Sequence, residues 1–480
     1  MPEAFSSNRG FMDRQQFLRH SALGVLALAG AGFGRTIVAR ASAEGQMRVV
    51  PPTNGVDDSA VIQAILDEGP GEVVFTSGQS WTVDPSPGIG GISPRSGTRI
   101  IVEDGAVLSV KPNGNSTGRL IDIGRDGPVQ NVTIEGSGTL LGDVLTHTGT
   151  TGEWSHLIHI TGGSSNIKVL GPLLLKQAWG DGIYIGDGTS VNYDVLIDGI
   201  NVDDCRREGI APFFVDGCVV RNCTISNTGS TLNAENGPGS GIDCEPNEGQ
   251  YVNGLTIEKN TIHGTAGCGI YISANPGPVS NLVVSDNEVV DCGLTSQKLT
   301  TYQTNGIHIA AIQAPLISGN TVRGSGFDDD PNGKSGQIFL RSVERPVVTG
   351  GLVELGKGRG IFLTNCTAPE VNDVTVQMNE YQGILIYKSE AAVVHSNRLL
   401  NNALTPSDAV EHLLVQSSDK TIIRDNTFRG DRGSSWIRIE PPSDDSVVAA
   451  NIGSGPRPAD VFLDHGDRTS ISDGGLTVSD

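Results

Sequence analysis

The sequence predicts an all-β chain, a parallel β-helix of about 12 coils wound as a single-stranded solenoid with a short N-terminal capping helix. Three observations carry this expectation. A phrase of the form x-Gly-Ile-x-Ile returns through most of the chain. A second phrase, apolar-x-apolar followed by Asn and another apolar residue, comes after each copy. No helix-length segment separates these strand-sized pieces, which excludes βαβ units.

Composition agrees. Glycine makes up 64 of 480 residues and charged residues 18%, a mix that favours many short strands joined by turns over helical bundles. The formal charge is −21 with only 33 Lys and Arg. A chain this acidic repels nucleic acid and anionic membrane surfaces, so neither is an expected partner. No apolar run is long enough to span a bilayer, and no membrane insertion is expected. The seven cysteines are scattered and odd in number. They read as buried thiols rather than a disulfide framework, with the pairing of any two left open.

The first 43 residues read as an export signal. Arg9, Arg14 and Arg19 form a basic start, Ala22 to Phe33 a short apolar run, and Ala41-Ser42-Ala43 a cleavage site. Asp13 to Arg19 is similar to a twin-arginine motif, with Gln15 in place of the second arginine, so the export route stays open. Losing five Arg and two acids would leave a mature charge of −24. The expected location is periplasmic or secreted. Residues 44–98 read as an N-terminal cap and first strands, with a helix from Ala60 to Asp67. Residues 99–465 read as the β-helix and 466–480 as a flexible tail.

The repeat is dense. Full copies carry Ile183, Ile210, Ile242, Ile270, Ile307, Ile361 and Ile384, and looser ones Ile158, Ile338, Leu413, Ile437 and Val461. Successive gaps run from 23 to 37 residues. Asn222, Asn260, Asn287, Asn320, Asn397, Asn426 and Asn451 recur at one point of the second phrase. Stacked amides can bond along such a column, and Asn tolerates the left-handed conformation of a sharp corner. On these phrases the chain resembles the pectin-lyase-like superfamily of right-handed parallel β-helix proteins, over roughly residues 50–465. The resemblance implies right-handed coils, each with three strands, the x-Gly-Ile-x-Ile phrase being the strand called PB1. Hydrolases, lyases, epimerases and phage tailspikes share that pattern, so it implies no single reaction.

Alternation along a strand turns the residue between two inward isoleucines outward. The outward PB1 column then reads His159, Tyr184, Ala211 with Phe213, Asp243 with Glu245, Tyr271, His308, Phe339 with Arg341, Phe362, and Leu385 with Tyr387. An exposed stripe of this chemistry suits an extended sugar chain. Long gaps just before PB1, at 227–240, 292–304 and 324–336, would wall one edge of it.

Asp243 and Glu245 are the lead acid and base. Two apart on a strand, they should stand roughly 6.5–7 Å from each other, near the lower edge of inverting-glycosidase spacing. Nearby carboxylates also push one pKa up, which makes a proton donor. Asp181 and Glu208 sit two residues before an inward isoleucine. Parity alone aims them inward, although the corner there could turn them out. His308 completes the catalytic candidates. Tyr184, Arg206, Arg207, Phe213, Tyr271, Phe339, Arg341 and Tyr387 are the substrate-binding candidates.

No cofactor is expected. Asp328, Asp330 and Asn332 open like a calcium loop, but the EF-hand pattern fails at Phe339. The leading expectation is a polysaccharide hydrolase using carboxylate acid and base. The alternatives are a lyase or C5-epimerase acting on a uronan, and a non-catalytic glycan-binding or structural β-helix. Monomer and homotrimer both remain open. Polygalacturonase-like motifs match only in part: Trp179-Gly180-Asp181 and Asp203-Asp204 are present, but Gly239-Ser240-Gly241 lacks the histidine.

Overall fold

A computed structural model describes residues 46–480, apart from 54, 87–89, 187–188, 230–237, 294–303, 327–334, 406–409, 456–457, 459, 461, 467 and 480. The expected export signal, the calcium-loop residues Asp328, Asp330 and Asn332, and most of the three long pre-PB1 segments lie outside the described residues.

The chain winds as a right-handed parallel β-solenoid. Every inter-strand pairing joins one coil to the next in parallel. A 13-stranded sheet holds the PB1 strands, from Thr117–Ile123 to Phe462–Asp464, and a 30-stranded sheet holds the rest. The inward register is continuous: Ile121, Ile158, Ile183, Ile210, Ile242, Ile270, Ile307, Ile338, Ile361, Ile384, Leu413, Ile437 and Phe462 stand in line. All but Phe462 are buried in one interior core. Burying each such side chain contributes about 1.5–3 kcal/mol, so the repeated isoleucine sets the register.

Four details differ from the sequence reading. The PB1 sheet has one more strand than the 12 copies counted, because Thr117–Ile123 lacks the glycine phrase. The last rung uses Phe462, one residue beyond Val461. The solenoid starts before residue 99: Gly71–Phe75 already pairs with Thr98–Val102. The tail is not frayed, because Ser470–Ser479 pairs in parallel with Val447–Ser454, and its Leu476 and Val478 pack on the core.

The capping helix spans Ser59–Asp67 and buries Ile62 and Leu66. The Asp57 carboxylate accepts the Ser59 N–H at 3.0 Å. The Arg48 guanidinium reaches the carbonyls of Ile65 and Gly69 at the other end. These side chains serve backbone groups that the short helix cannot pair itself.

The asparagine column is real but one residue narrower in role than expected. Asn260 Nδ2 donates to Asn287 Oδ1 (2.9 Å), and Asn287 Nδ2 to Asn320 Oδ1 (3.0 Å). Asn397, Asn426 and Asn451 repeat the pattern at 3.0 Å. The left-handed residue is the one before each ladder amide, as at Lys259 (φ 54°), Asp286 (53°) and Asp425 (56°). Asn222, also left-handed (φ 53°), belongs to that corner column. Cys223 holds the ladder place beside it, its N–H donating to Asn260 Oδ1. All seven cysteines are buried free thiols.

Candidate active site

The glycine of the repeated phrase explains the site. A Cβ on Gly182 would meet Val202 Cγ1 at 2.9 Å and Cys205 Sγ at 3.4 Å, both interior atoms. A Cβ on Gly209 would meet Ile225 Cγ2 at 2.6 Å. Glycine and the following isoleucine therefore both face the core, and alternation slips by one residue. The residue before the glycine turns outward, beside the outward PB1 residue. Asp181 and Glu208 thus leave the interior, against simple parity, and share a face with Tyr184 and Asp243. The same place one rung earlier holds His156, which the sequence reading did not single out. Aligning Ser155-His156-Leu157-Ile158 on Gly180-Asp181-Gly182-Ile183 would have found it.

These side chains form one connected cluster. Arg207 Nη1 donates to Asp181 Oδ2 at 2.9 Å and to Oδ1 at 3.2 Å. Arg207 Nη2 stands 3.2 Å from Glu208 Oε1, and Nε stands 3.3 Å from Glu153 Oε2. His156 Nδ1 accepts the Asp181 N–H at 3.1 Å and lies 3.2 Å from Asp181 Oδ2. Its ring stacks on Tyr184 at 4.8 Å and 7°. Trp154 meets Tyr184 edge-on at 5.8 Å, with Arg207 over its own ring at 5.3 Å. Trp154 remains 38% exposed.

Asp181, Glu208 and Asp243 are fully buried, and Arg207 nearly so. One guanidinium therefore faces more carboxyls than it can neutralise. Burial would raise the Asp181 carboxyl, but Arg207 and then His156 hold it below its usual value. Burial pushes Glu208 well up, and the charges of Asp243 and Asp181 add to the rise. Burial, then the charge of Glu245, pushes Asp243 well up. Burial also raises Glu245, against the pull of Tyr271 and Arg207. Burial lowers His156 to about 4, so its ring is neutral at pH 7. The Tyr271 phenol is raised by burial and by Glu245. The Asp243 carboxyl meets that of Glu208, an interaction that lowers Asp243 and raises Glu208, and no other side chain among the described residues hydrogen-bonds it, a costly state for a merely structural carboxyl.

The remaining candidates divide. Tyr271 links the cluster to His308, edge-on at 4.8 Å. His308 then leads to Phe339 (4.7 Å) and Phe362. Phe339, Phe362, Leu385 and Leu414 with Tyr387 form an apolar strip further along the same face. Arg341 follows Phe339's strand by pairing with Thr364. Phe213 packs on Tyr184 at 5.3 Å. Arg206 is held by structure instead: its Nη1 donates to the carbonyls of Gly152 (2.9 Å) and Trp179 (3.1 Å), and its guanidinium lies 3.9 Å over Trp179. The outward column is also less open than expected. His159, Tyr184, Ala211, Asp243, Tyr271, His308, Phe339 and Phe362 are all buried. Rungs about 4.8 Å apart let rings of adjacent coils cover one another.

An open groove of about 640 Å³ adjoins the N-terminal rungs, lined among others by Arg119, Asp122, Arg125 and His159. His159 Nδ1 and Asp122 Oδ1 are 2.8 Å apart. Among the described residues, no three His, Cys, Asp or Glu side chains are arranged to hold a metal ion.

The fold and site define a class: a right-handed parallel β-helix with a buried carboxyl cluster on its outward PB1 face. The family described as "Right handed beta helix region" matches residues 129–326 and 291–431, together more than half of the chain, and the chain belongs to that family. No curated protein matches it. Among solved structures it is similar to a mutant tailspike protein of E. coli bacteriophage HK620 in complex with a pentasaccharide. That match has a TM-score of 0.58 and 15% identity, covering 89% of this chain and 78% of that one. It is also similar to tailspike protein 3 of bacteriophage CBA120 (TM-score 0.51, 11% identity, 82% and 59% covered). The A-module of Azotobacter vinelandii mannuronan C-5 epimerase AlgE4 matches with TM-score 0.47 and 16% identity, covering 87% and 96%. At these identities the likeness is one of fold.

Proposed function

We propose that this protein is an exported enzyme that hydrolyses glycosidic bonds of a polysaccharide on its PB1 face. The observation that carries the reading is the trio Glu208, Asp243 and Glu245. All three carboxyls are raised by burial, and Asp243 shares its one side-chain hydrogen bond among the described residues with the Glu208 carboxyl. A carboxyl that keeps its proton near neutrality is a general acid awaiting an acceptor, such as a glycosidic oxygen. The half-buried Glu245 beside it is the base that would activate water. Trp154, 38% exposed, supplies ring surface for sugars. The pentasaccharide carried by the HK620 tailspike mutant fits a glycan as the ligand of this fold.

A uronan lyase or C5-epimerase is the second reading. Arg207 offers a charge for a uronate carboxylate, but Asp181, Glu208 and Glu153 already engage it. Tyr271 as a base would need a phenolate, and its pKa is shifted the wrong way. Hydrolysis therefore has the better-supplied chemistry.

A polysaccharide screen with product mass analysis tests this. Hydrolysis leaves new reducing ends and saturated products. An unsaturated uronate absorbing in the ultraviolet would replace hydrolase by lyase. Unchanged chain length with altered uronate would mean an epimerase. Glycan binding with no product would mean a binding protein.

A further inference from the structure

Arg207 is the cation that contacts the buried carboxyls, and its contacts are unequal. It gives one nitrogen to both oxygens of Asp181 and a single 3.2 Å contact to Glu208. Its third contact, Glu153, is a half-exposed rim carboxylate. Asp181 is itself seated from below. His156 takes the Asp181 backbone N–H on Nδ1, is fully buried, and is clamped against Tyr184. Removing the negative charge of Asp181 would leave the guanidinium nothing to hold except Glu208, Asp243 and Glu153.

We propose that Asp181 is a positioning residue: seated on His156, it holds one nitrogen of Arg207 on its own carboxylate and so limits the guanidinium to a single contact with Glu208, so that Glu208 and Asp243 stay under-neutralised and one of them retains the proton for catalysis. The role deepens the hydrolase reading and rests on it only for the word catalysis. The charged and titratable groups facing the assembly are Glu153, Glu208, Asp243 and Asp181 around Arg207, with Arg206 beside Glu153, Asp181 and Arg207. His159 and Arg119 lie beside His156, and Glu245 and Tyr271 beyond Asp243. Asp181 acts on Glu208 and Asp243 by its own charge and by its hold on Arg207. Both effects have one sign: each keeps the two carboxyls harder to ionise.

The test is a ¹³C NMR titration of side-chain carboxyls in the full chain, with Glu208 and Asp243 assigned through Glu208→Gln and Asp243→Asn. In Asp181→Asn both midpoints should fall by about one pH unit or more, the scale of a nearby charge. The alkaline limb of the pH–rate profile should move to lower pH with them. Asp181→Glu, which keeps the charge, should restore most of the shift. Arg207→Lys should move the midpoints the other way, because an ammonium lacks the fork to serve two carboxylates. Unmoved midpoints in a folded Asp181→Asn variant would overturn the proposal. So would unmoved midpoints in Arg207→Lys, should Asp181→Asn fail to fold. The titration needs no substrate. If the wild type hydrolyses no polysaccharide, the function falls, while the midpoints still decide the positioning role.

Discussion

Replacing Asp243 by Asn should stabilise the protein while removing its activity. Both carboxyl oxygens of Asp243 are buried, with the Glu208 carboxyl as their one hydrogen-bond partner among the described residues. A buried polar group left unsatisfied costs about 1–3 kcal/mol, and more when charged. Burial and the neighbouring Glu245 raise the folded pKa well above its usual value. The unfolded carboxyl ionises near about 3.9. Between that pH and the folded pKa, the folded state binds more protons than the unfolded one. Stability must then fall as pH rises through this window. Asparagine carries no such penalty. The variant should gain about 1.4 kcal/mol for each pH unit by which burial lifts the folded ionisation, up to the working pH, seen as a rise in thermal midpoint at pH 7–8. The gain should shrink with falling pH and vanish below about pH 4, where Asp is protonated in both states. Thermal melts at pH 4, 5.5, 7 and 8 measure it. A variant less stable than wild type at pH 7 but equal to it at pH 4 would refute the reasoning, because it would reveal a partner that stabilises the carboxylate.

Other outcomes follow from the same geometry. Asn287→Ala removes the acceptor for the Asn260 backbone N–H and side-chain amide and the donor to the Ile257 carbonyl, so chemical denaturation should show a loss of about 2–4 kcal/mol. Trp154→Ala should weaken binding of the identified polysaccharide about 10-fold with turnover of bound substrate kept, as expected for loss of a ring that stacks on sugar; calorimetry and initial rates separate the two. All seven thiols should be silent to an aromatic disulfide reagent in the native protein and react fully in denaturant, because burial lifts thiols such as Cys205 to about 12.

The solenoid was legible because its signal repeats. Each inward isoleucine from Ile158 to Ile437 stands where the phrase spacing put it, since a one-residue slip would turn a whole strand's apolar side chains outward. The outward residues Tyr184, Asp243, Tyr271 and His308 followed from that register. Asp181 and Glu208 stand out as candidates in the sequence, but alternation alone leaves their direction open. Gly182 and Gly209, facing the core, settle it and bring Asp181 and Glu208 beside Asp243. His156 and Trp154 escaped notice because their rung lacks the glycine phrase, and the Thr117–Ile123 rung escaped for the same reason. Arg206 and Arg207 look equivalent in sequence. Only the tertiary contacts commit one to Trp179 and backbone carbonyls and the other to the carboxyls. The ladder amides were placed correctly except Asn222, because Asn serves both the ladder and the left-handed corner beside it.

The proposed function stands on acid–base cleavage by the outward carboxyl cluster. Reducing-end release from the cleaved polysaccharide, measured for wild type, Asp243→Asn and Glu245→Gln, tests it most directly. Turnover should be at least ~100-fold lower in each variant with an intact fold, the scale of general acid–base catalysis. Turnover equal to wild type in both would contradict it.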